Sequence, residues 1–226
     1  MAELLLVIGN RNYSSWSLRA WLALKSTGLD FDEEMVALDL DDTRARLQSY
    51  SPAGRVPVLF VHRGDPAREL MVWDTMAIIE YIAEQYPSAH GWPGDIAARA
   101  VARAVSAEMH SSFMGLRSEM PMNIRAEGRQ IEPSEGCRKD IARILEIWAD
   151  CRAQFGQDGP FLFGNLSAAD AVFAPIVSRF KTYGVEMDQV TAAYADAVWN
   201  GEDMKWWRAA SADESWTIPS EEVGQS

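Results

Sequence analysis

The chain has 226 residues, 48% of them hydrophobic, with 33 acidic against 21 basic residues and a formal net charge of −12. That acid excess argues against a general nucleic-acid binder, and no apolar run reaches the roughly 18 residues a membrane helix takes. Its two cysteines form no CxxC pair and its histidines number three, so no metal cluster is indicated.

The start, Met1-Ala2-Glu3, lacks the basic opening of a secretory signal, which points to a soluble cytoplasmic protein. Leu4 to Ile8 is a continuous apolar run, the pattern of a buried strand. Gly9-Asn10-Arg11-Asn12 interrupts it, and Leu18, Trp21 and Leu22 then recur at helical spacing until Thr27-Gly28. Phe31 to Leu40 reads as a second strand and Thr43 to Gln48 as a short helix, with a loop at Ser51-Pro52-Ala53-Gly54. Val56 to Val61 reads as a strand with proline near its start, where a strand tolerates it. Glu69 to Trp73 is a further short strand, and Asp74-Thr75 opens a helix that stops at Tyr86-Pro87. Strand and helix alternation of this kind makes a small α/β sheet domain.

Beyond a linker at Ser88 to Asp95 the strand pattern ends. Ala97 to Arg117 is rich in helix formers and reads as one helix. Pro121 and Pro133 bracket a loop, and Ser134 to Phe155 carries an apolar helical face of Ile141, Ile144, Leu145 and Trp148. Helices follow at Ala168 to Lys181, Val190 to Trp199 and Met204 to Ala210, with a tail from Ser215. An α/β domain is therefore followed by an all-helical one.

Two segments carry chemistry. Ser14 and Ser15 fall where a strand has ended and a helix begins, so each can cap the helix, or hydroxyl and free N–H groups together can receive an anion. Ser167-Ala168-Ala169-Asp170 is a capping box: Ser at the N-cap with an acid three residues on. Cys137 and Cys151 read as structural thiols.

Taken in order, the Ser at the first helix start, Arg55-Val56-Pro57, Asp74-Thr75 and the capping box resemble a cytosolic glutathione S-transferase of the serine type. Ser14-Ser15-x-Ser17-x-Arg19 is most similar to the zeta class, which is maleylacetoacetate isomerase-like. The resemblance spans nearly the whole chain. It implies a thioredoxin-like glutathione-binding domain over 1–87, an all-helical substrate domain over 96–226, and a homodimer. The implied activity is stabilisation of glutathione thiolate for addition to an electrophile or for glutathione-dependent isomerisation; a glutathione-binding or interaction protein of the same fold is the alternative. Glutathione is the implied cosubstrate.

The resemblance also implies roles. Ser14, or its neighbour Ser15, holds the thiolate. Val56 precedes a cis-proline, Pro57, and meets the cysteinyl backbone; Asp74 and Thr75 bind the γ-glutamyl end; Arg55, and less directly Gln48, reach the glycyl carboxylate. A thiol near pKa 8.5 becomes a thiolate more readily beside a donated O–H and a helix N-terminus. The second substrate is expected over Trp16, which stands where the zeta class usually has Cys, and against His110, Phe113, Met114 and Arg117, which share one face if their helix is continuous. For Phe113 and Met114 plain core packing remains open, and for His110 a satisfied helix position. A buried Arg117 would favour an anionic substrate. The zeta isomerase uses a basic residue on the helix after the capping box, where this chain has Arg179 and Lys181. Ser17 and Arg19 read as structural.

Overall fold

The computed structural model describes residues 2–86 and 91–224. Met1, the Pro87 helix stop, the Ser88 to His90 part of the expected linker, and Gln225 and Ser226 at the end of the tail lie outside them.

The first unit is a four-stranded sheet in the order β2-β1-β3-β4, built from β1 (Leu4–Ile8), β2 (Asp32–Met35), β3 (Val58–Val61) and β4 (Leu70–Trp73). β1 runs parallel to β2 and antiparallel to β3, with Leu6 opposite Leu59 and Val7 opposite Val58. The unbroken apolar run of β1 has a physical reason. Leu4, Leu6 and Ile8 pack with Leu18, Trp21 and Ile78 on one face, and Leu5 and Val7 pack with Val36, Leu47 and Val58 on the other. The helices that cover these faces are α1 (Ser15–Lys25), α2 (Thr43–Tyr50) and α3 (Thr75–Gln85).

The second strand is shorter than Phe31 to Leu40. β2 pairs only along β1, whose last rung is Val36 N–H to Ile8 O at 2.9 Å; Asn10 Oδ1 then takes the Leu38 N–H at 2.7 Å and turns the chain away. The third strand begins at Val58 rather than Val56, after a cis Val56–Pro57 bond.

The rest is helical: α4 (Ile96–Ser111), α5 (Met114–Glu119), α6 (Glu135–Phe155), α7 (Ala168–Tyr183), α8 (Gln189–Trp199) and α9 (Glu202–Ala212), then a 3-10 turn at Pro219–Glu221. α7 is buried almost throughout, which its all-round apolar sequence requires. The Ser167–Asp170 capping box starts it.

The expected single helix Ala97 to Arg117 is two helices. Ser112 is extended and Phe113 adopts a left-handed conformation at φ 66°. Propensity favours continuation there, but packing wins. The bend buries both Phe113 and Leu116, and it brings α5 against α6. Gly115 allows that approach, because a Cβ on it would lie 2.9 Å from Cys137 N. Leu116 N–H donates to Asp140 Oδ2 at 3.0 Å. The shared face of His110, Phe113, Met114 and Arg117 is therefore corrected: Phe113 turns into the core, Met114 is 69% exposed, and Arg117 folds back on α4.

The units are joined through α1. Trp21 stacks on Trp206 with ring centroids 5.0 Å apart, and Trp207 Nε1–H donates to Arg11 O at 3.0 Å. Glu214 accepts the Arg11 N–H at 2.7 Å and the Asn12 N–H at 3.2 Å. The C-terminal tryptophans thus serve packing between the two units.

Candidate functional site

A cleft with two lobes lies where the start of α1, the Val56–Pro57 turn, the start of α3 and the end of α4 meet. One lobe, about 520 Å³, is lined by Val56, Pro57, Asp74, Thr75 and His110. The other, about 480 Å³, is lined by Tyr13, Ser14, Ser15, Met114, Arg117, Arg179 and Glu221. Trp16, Arg55, Val56 and His110 line both.

Ser14 is the N-cap of α1. Gly9 makes room for it: a Cβ on Gly9 would meet Leu38 Cδ1 at 2.7 Å and Ser14 Cβ at 3.2 Å. Ser17 Oγ accepts the buried Gly9 N–H at 2.9 Å and lies 2.8 Å from Ser14 Oγ. Ser17 N–H also points at Ser14 Oγ, at 3.4 Å. If the Ser17 O–H donates to Ser14, both lone pairs of Ser14 are used and its own proton is free for the cleft. The Ser15 hydroxyl and the Trp16 N–H have no protein partner among the described residues. The helix start thus presents unused donors and the positive end of the α1 dipole.

Across the cleft, Asp74 caps α3 by accepting the Met76 N–H at 2.8 Å, from a backbone at φ 76° that non-glycine residues seldom adopt. Its other oxygen is 3.5 Å from His110 Nε2. The Thr75 hydroxyl donates to Trp16 O at 3.1 Å. Its proton is therefore committed to the α1 backbone, which corrects the expectation that it faces a ligand; its N–H is in the first turn of α3. Arg55 is exposed on the rim. Gln48 is exposed beside Gly54 and is not among the lining residues.

Trp16 lines both lobes. His110 meets it edge-on with ring centroids 5.0 Å apart, and two guanidiniums lie against the indole: Arg19 Cζ is 4.6 Å and Arg117 Cζ 4.9 Å from the ring centroid. Arg117 Nε donates to Ser112 O at 2.9 Å and its Nη2 to Met109 O, so it caps the carbonyl end of α4. Arg179 Nη1 donates to Met120 O. Burial lowers Arg179 to about 10, and the charge of Arg117 adds to this. Burial likewise lowers Arg117 and raises the Glu221 carboxyl. Arg117 Nη1 and Arg179 Nη2 have no protein acceptor among the described residues.

The structure brings Ser14, Ser15, Trp16, Arg55, Val56, Pro57, Asp74, Thr75, His110, Met114 and Arg117 to one cleft. Sequence reasoning missed Glu221, which arrives from the tail with no local signal, and it left Arg179 unplaced. It also read Arg19 as merely structural, although the four-residue step from Ser15 sets the two on one helix face. Cys137 and Cys151 are buried free thiols away from the cleft, pushed up to about 11 and about 12 by burial.

Residues 13–85 match the family model described as glutathione S-transferase, N-terminal domain, and residues 100–209 match glutathione S-transferase, C-terminal domain. The chain is 31% identical over 182 residues to the maleylacetoacetate isomerase of Pseudomonas aeruginosa, covering 79% of this chain and 82% of that one. It is 33% identical over 108 residues to a probable maleylacetoacetate isomerase of Caenorhabditis elegans; that match spans 48% of this chain and about half, 47%, of the relative. Among solved structures, a glutathione transferase homolog from Burkholderia gl BGR1 with bound glutathione superposes with a TM-score of 0.68 at 24% identity, covering 93% of this chain and 99% of that one. A Tau class glutathione S-transferase from mango has a TM-score of 0.68 at 18% identity, covering 93% and 96%. These two likenesses speak for the fold alone.

Proposed function

This chain belongs to the glutathione S-transferase family, and we propose that it binds glutathione in its cleft and holds the sulfur as a thiolate for attack on an electrophile or for a glutathione-dependent isomerisation. The observation that carries this reading is Ser14, a cleft-lining hydroxyl at the start of α1 whose oxygen is approached by both the N–H and the hydroxyl of Ser17. Ser14 then donates an O–H hydrogen bond to the thiolate sulfur, with Ser15 as its neighbour and the α1 dipole adding to the stabilisation of the anion. The reading places the cysteinyl backbone along Val56–Pro57 and the ligand ammonium at Asp74. The α-carboxylate meets the N-terminus of α3 at Thr75, and the glycyl carboxylate meets Arg55, with Gln48 further out. No step requires a covalent bond to the protein: the thiol proton leaves to solvent and the sulfur keeps its electron pair.

The second substrate sits beside Trp16, bounded by His110, Met114 and Arg117. The unpartnered Arg117 Nη1 and Arg179 Nη2 suit an electrophile that carries a carboxylate or similar anion. Relatives named as maleylacetoacetate isomerases support testing isomerisation beside addition. The domain limits 1–87 and 96–226, a homodimer and a cytoplasmic location complete the proposal.

A Ser14→Ala variant tests it. Turnover should fall by roughly 10²–10³, the usual loss for one oxyanion-type donor, while S-methylglutathione still binds in calorimetry. Unchanged turnover would sink the role of Ser14. One observation favours a second reading. The Ser14–Ser17 contact can run in the other direction, with Ser14 donating inward. The protein would then bind glutathione with little catalysis, and binding without turnover across a panel of electrophiles would establish it.

A further inference from the structure

An amino acid head group is recognised by an acceptor for its ammonium and a donor for its carboxylate, set close together, because a single Cα holds the two groups within about 4 Å of each other. In the lobe lined by Asp74, Thr75, His110 and Ser111, the acceptor is Asp74, whose Oδ2 is left over once Oδ1 has capped α3. Hydroxyl donors are missing beside it. The Thr75 hydroxyl is committed to Trp16 O at 3.1 Å, and the Ser111 hydroxyl to Ala107 O at 2.9 Å. The first-turn N–H of Thr75 remains, but one neutral N–H leaves most of a carboxylate's lone pairs unmet.

His110 stands at this point. Among the described residues it is the one basic side chain in ion-pair reach of Asp74, with Nε2 3.5 Å from Oδ2. Its ring comes from the last turn of α4 and is held edge-on against Trp16 at a centroid distance of 5.0 Å. Its Nδ1 is buried and has no hydrogen-bond partner. A proton there would be an orphaned buried donor, whereas a bare lone pair costs less, so the ring carries its proton on Nε2. At 3.5 Å that N–H is too far from Asp74 for a good hydrogen bond. A donor and an acceptor thus lie side by side on the wall of one lobe, neither fully satisfied by the other.

We propose that His110 is a specificity-determining residue for the γ-glutamyl end of glutathione: its Nε2–H donates to the α-carboxylate while Asp74 Oδ2, beside it, accepts from the ammonium. This rests on the reading that glutathione binds in the cleft. It also turns His110 from the second-substrate side, where the sequence placed it, toward the glutathione side: the ring lines both lobes, but its Nε2 lies at Asp74, which lines only the glutathione lobe. His110 takes over the role expected of the Thr75 hydroxyl.

The experiment is calorimetry with three peptides. S-methylglutathione carries both head groups. 4-Aminobutyryl-S-methylcysteinylglycine keeps the ammonium and lacks the α-carboxylate, and glutaryl-S-methylcysteinylglycine keeps the carboxylate and lacks the ammonium. His110→Leu should weaken S-methylglutathione and the glutaryl peptide by roughly tenfold, the loss of one hydrogen bond to a charged group, and leave the 4-aminobutyryl peptide within about twofold. His110→Gln, which keeps an N–H, should recover part of the loss. A loss in His110→Leu that falls equally on S-methylglutathione and the 4-aminobutyryl peptide, or on neither, overturns the inference and leaves the glutathione reading standing. Equal affinity of the unaltered protein for those two peptides also overturns it, with no variant needed. Absence of S-methylglutathione binding by the unaltered protein overturns both. Should His110→Leu not fold, His110→Asn, whose amide is too short to reach, takes its place under the same criteria.

Discussion

Ser17 Oγ lies 2.8 Å from Ser14 Oγ while it accepts the Gly9 N–H at 2.9 Å, so one buried hydroxyl ties the end of β1 to the cap of α1. Ser17→Ala removes both links and leaves the Gly9 N–H buried without an acceptor. Stability should fall by about 1–3 kcal/mol, the penalty for an orphaned buried donor, as read by urea denaturation. Turnover should fall as well while S-methylglutathione affinity holds, because Ser14 loses the partner that sets its direction. Full turnover in Ser17→Ala would show that Ser14 needs no such orientation.

Arg117 and Arg179 line the same lobe, and Arg117 Nη1 and Arg179 Nη2 have no protein acceptor among the described residues. With a matched pair of electrophiles, one bearing a carboxylate and one its amide, Arg179→Gln should raise KM for the acid by roughly tenfold or more, since a charge-assisted hydrogen bond contributes about 1.5–3 kcal/mol. The amide should be nearly unaffected. Equal losses on both substrates would mean that Arg179 only supports the loop at Met120.

Gly115 is where α5 meets α6. A methyl there would lie 2.9 Å from Cys137 N and 3.0 Å from Gly136 C, both backbone atoms that cannot rotate away. Gly115→Ala should cost about 1–3 kcal/mol through overpacking, visible as a lowered melting temperature. A stabilised Gly115→Ala would mean that α5 separates from α6 freely, and the account of the helix break would fail.

Asp170 accepts the Leu162 N–H at 3.1 Å, the Ser167 N–H at 2.8 Å and the Ser167 O–H at 3.0 Å. Burial outweighs those bonds and pushes its carboxyl up to about 6, against about 3.9 in an unfolded chain. Between those values the folded chain binds a proton that the unfolded chain does not. The contribution of Asp170 is therefore fully present below about pH 4 and lost as pH rises through about 6. The stability difference between the unaltered protein and Asp170→Asn should decline by on the order of 2–3 kcal/mol from pH 4 to 7. Parallel stability curves would show that Asp170 is not perturbed in this sense.

Much of the architecture is written locally. The apolar run Leu4 to Ile8, the caps at Ser14, Asp74 and Ser134, and the Ser167–Asp170 box act within a turn or a strand of themselves, and each sits where its pattern places it. The order of Ser14, Val56-Pro57 and Asp74-Thr75 likewise foreshadowed the wall of the cleft, because those residues occupy the ends of adjacent elements of one small sheet.

What local pattern could not carry are the outcomes set by partners distant in the chain. The length of β2 depends on where β1 stops, and the break at Phe113 depends on the backbone of α6 more than twenty residues away. The Thr75 proton is claimed by Trp16, fifty-nine positions earlier. Arg19 shows the division most clearly. Its helical position follows from the sequence, but its burial against α7, the two guanidinium nitrogens that have no hydrogen-bond partner among the described residues, and its contact with the Trp16 ring arise only when the two units close on each other. Hydrophobic period and capping chemistry are short-range and legible residue by residue, whereas desolvation and the field of neighbouring charges exist only once the chain has packed.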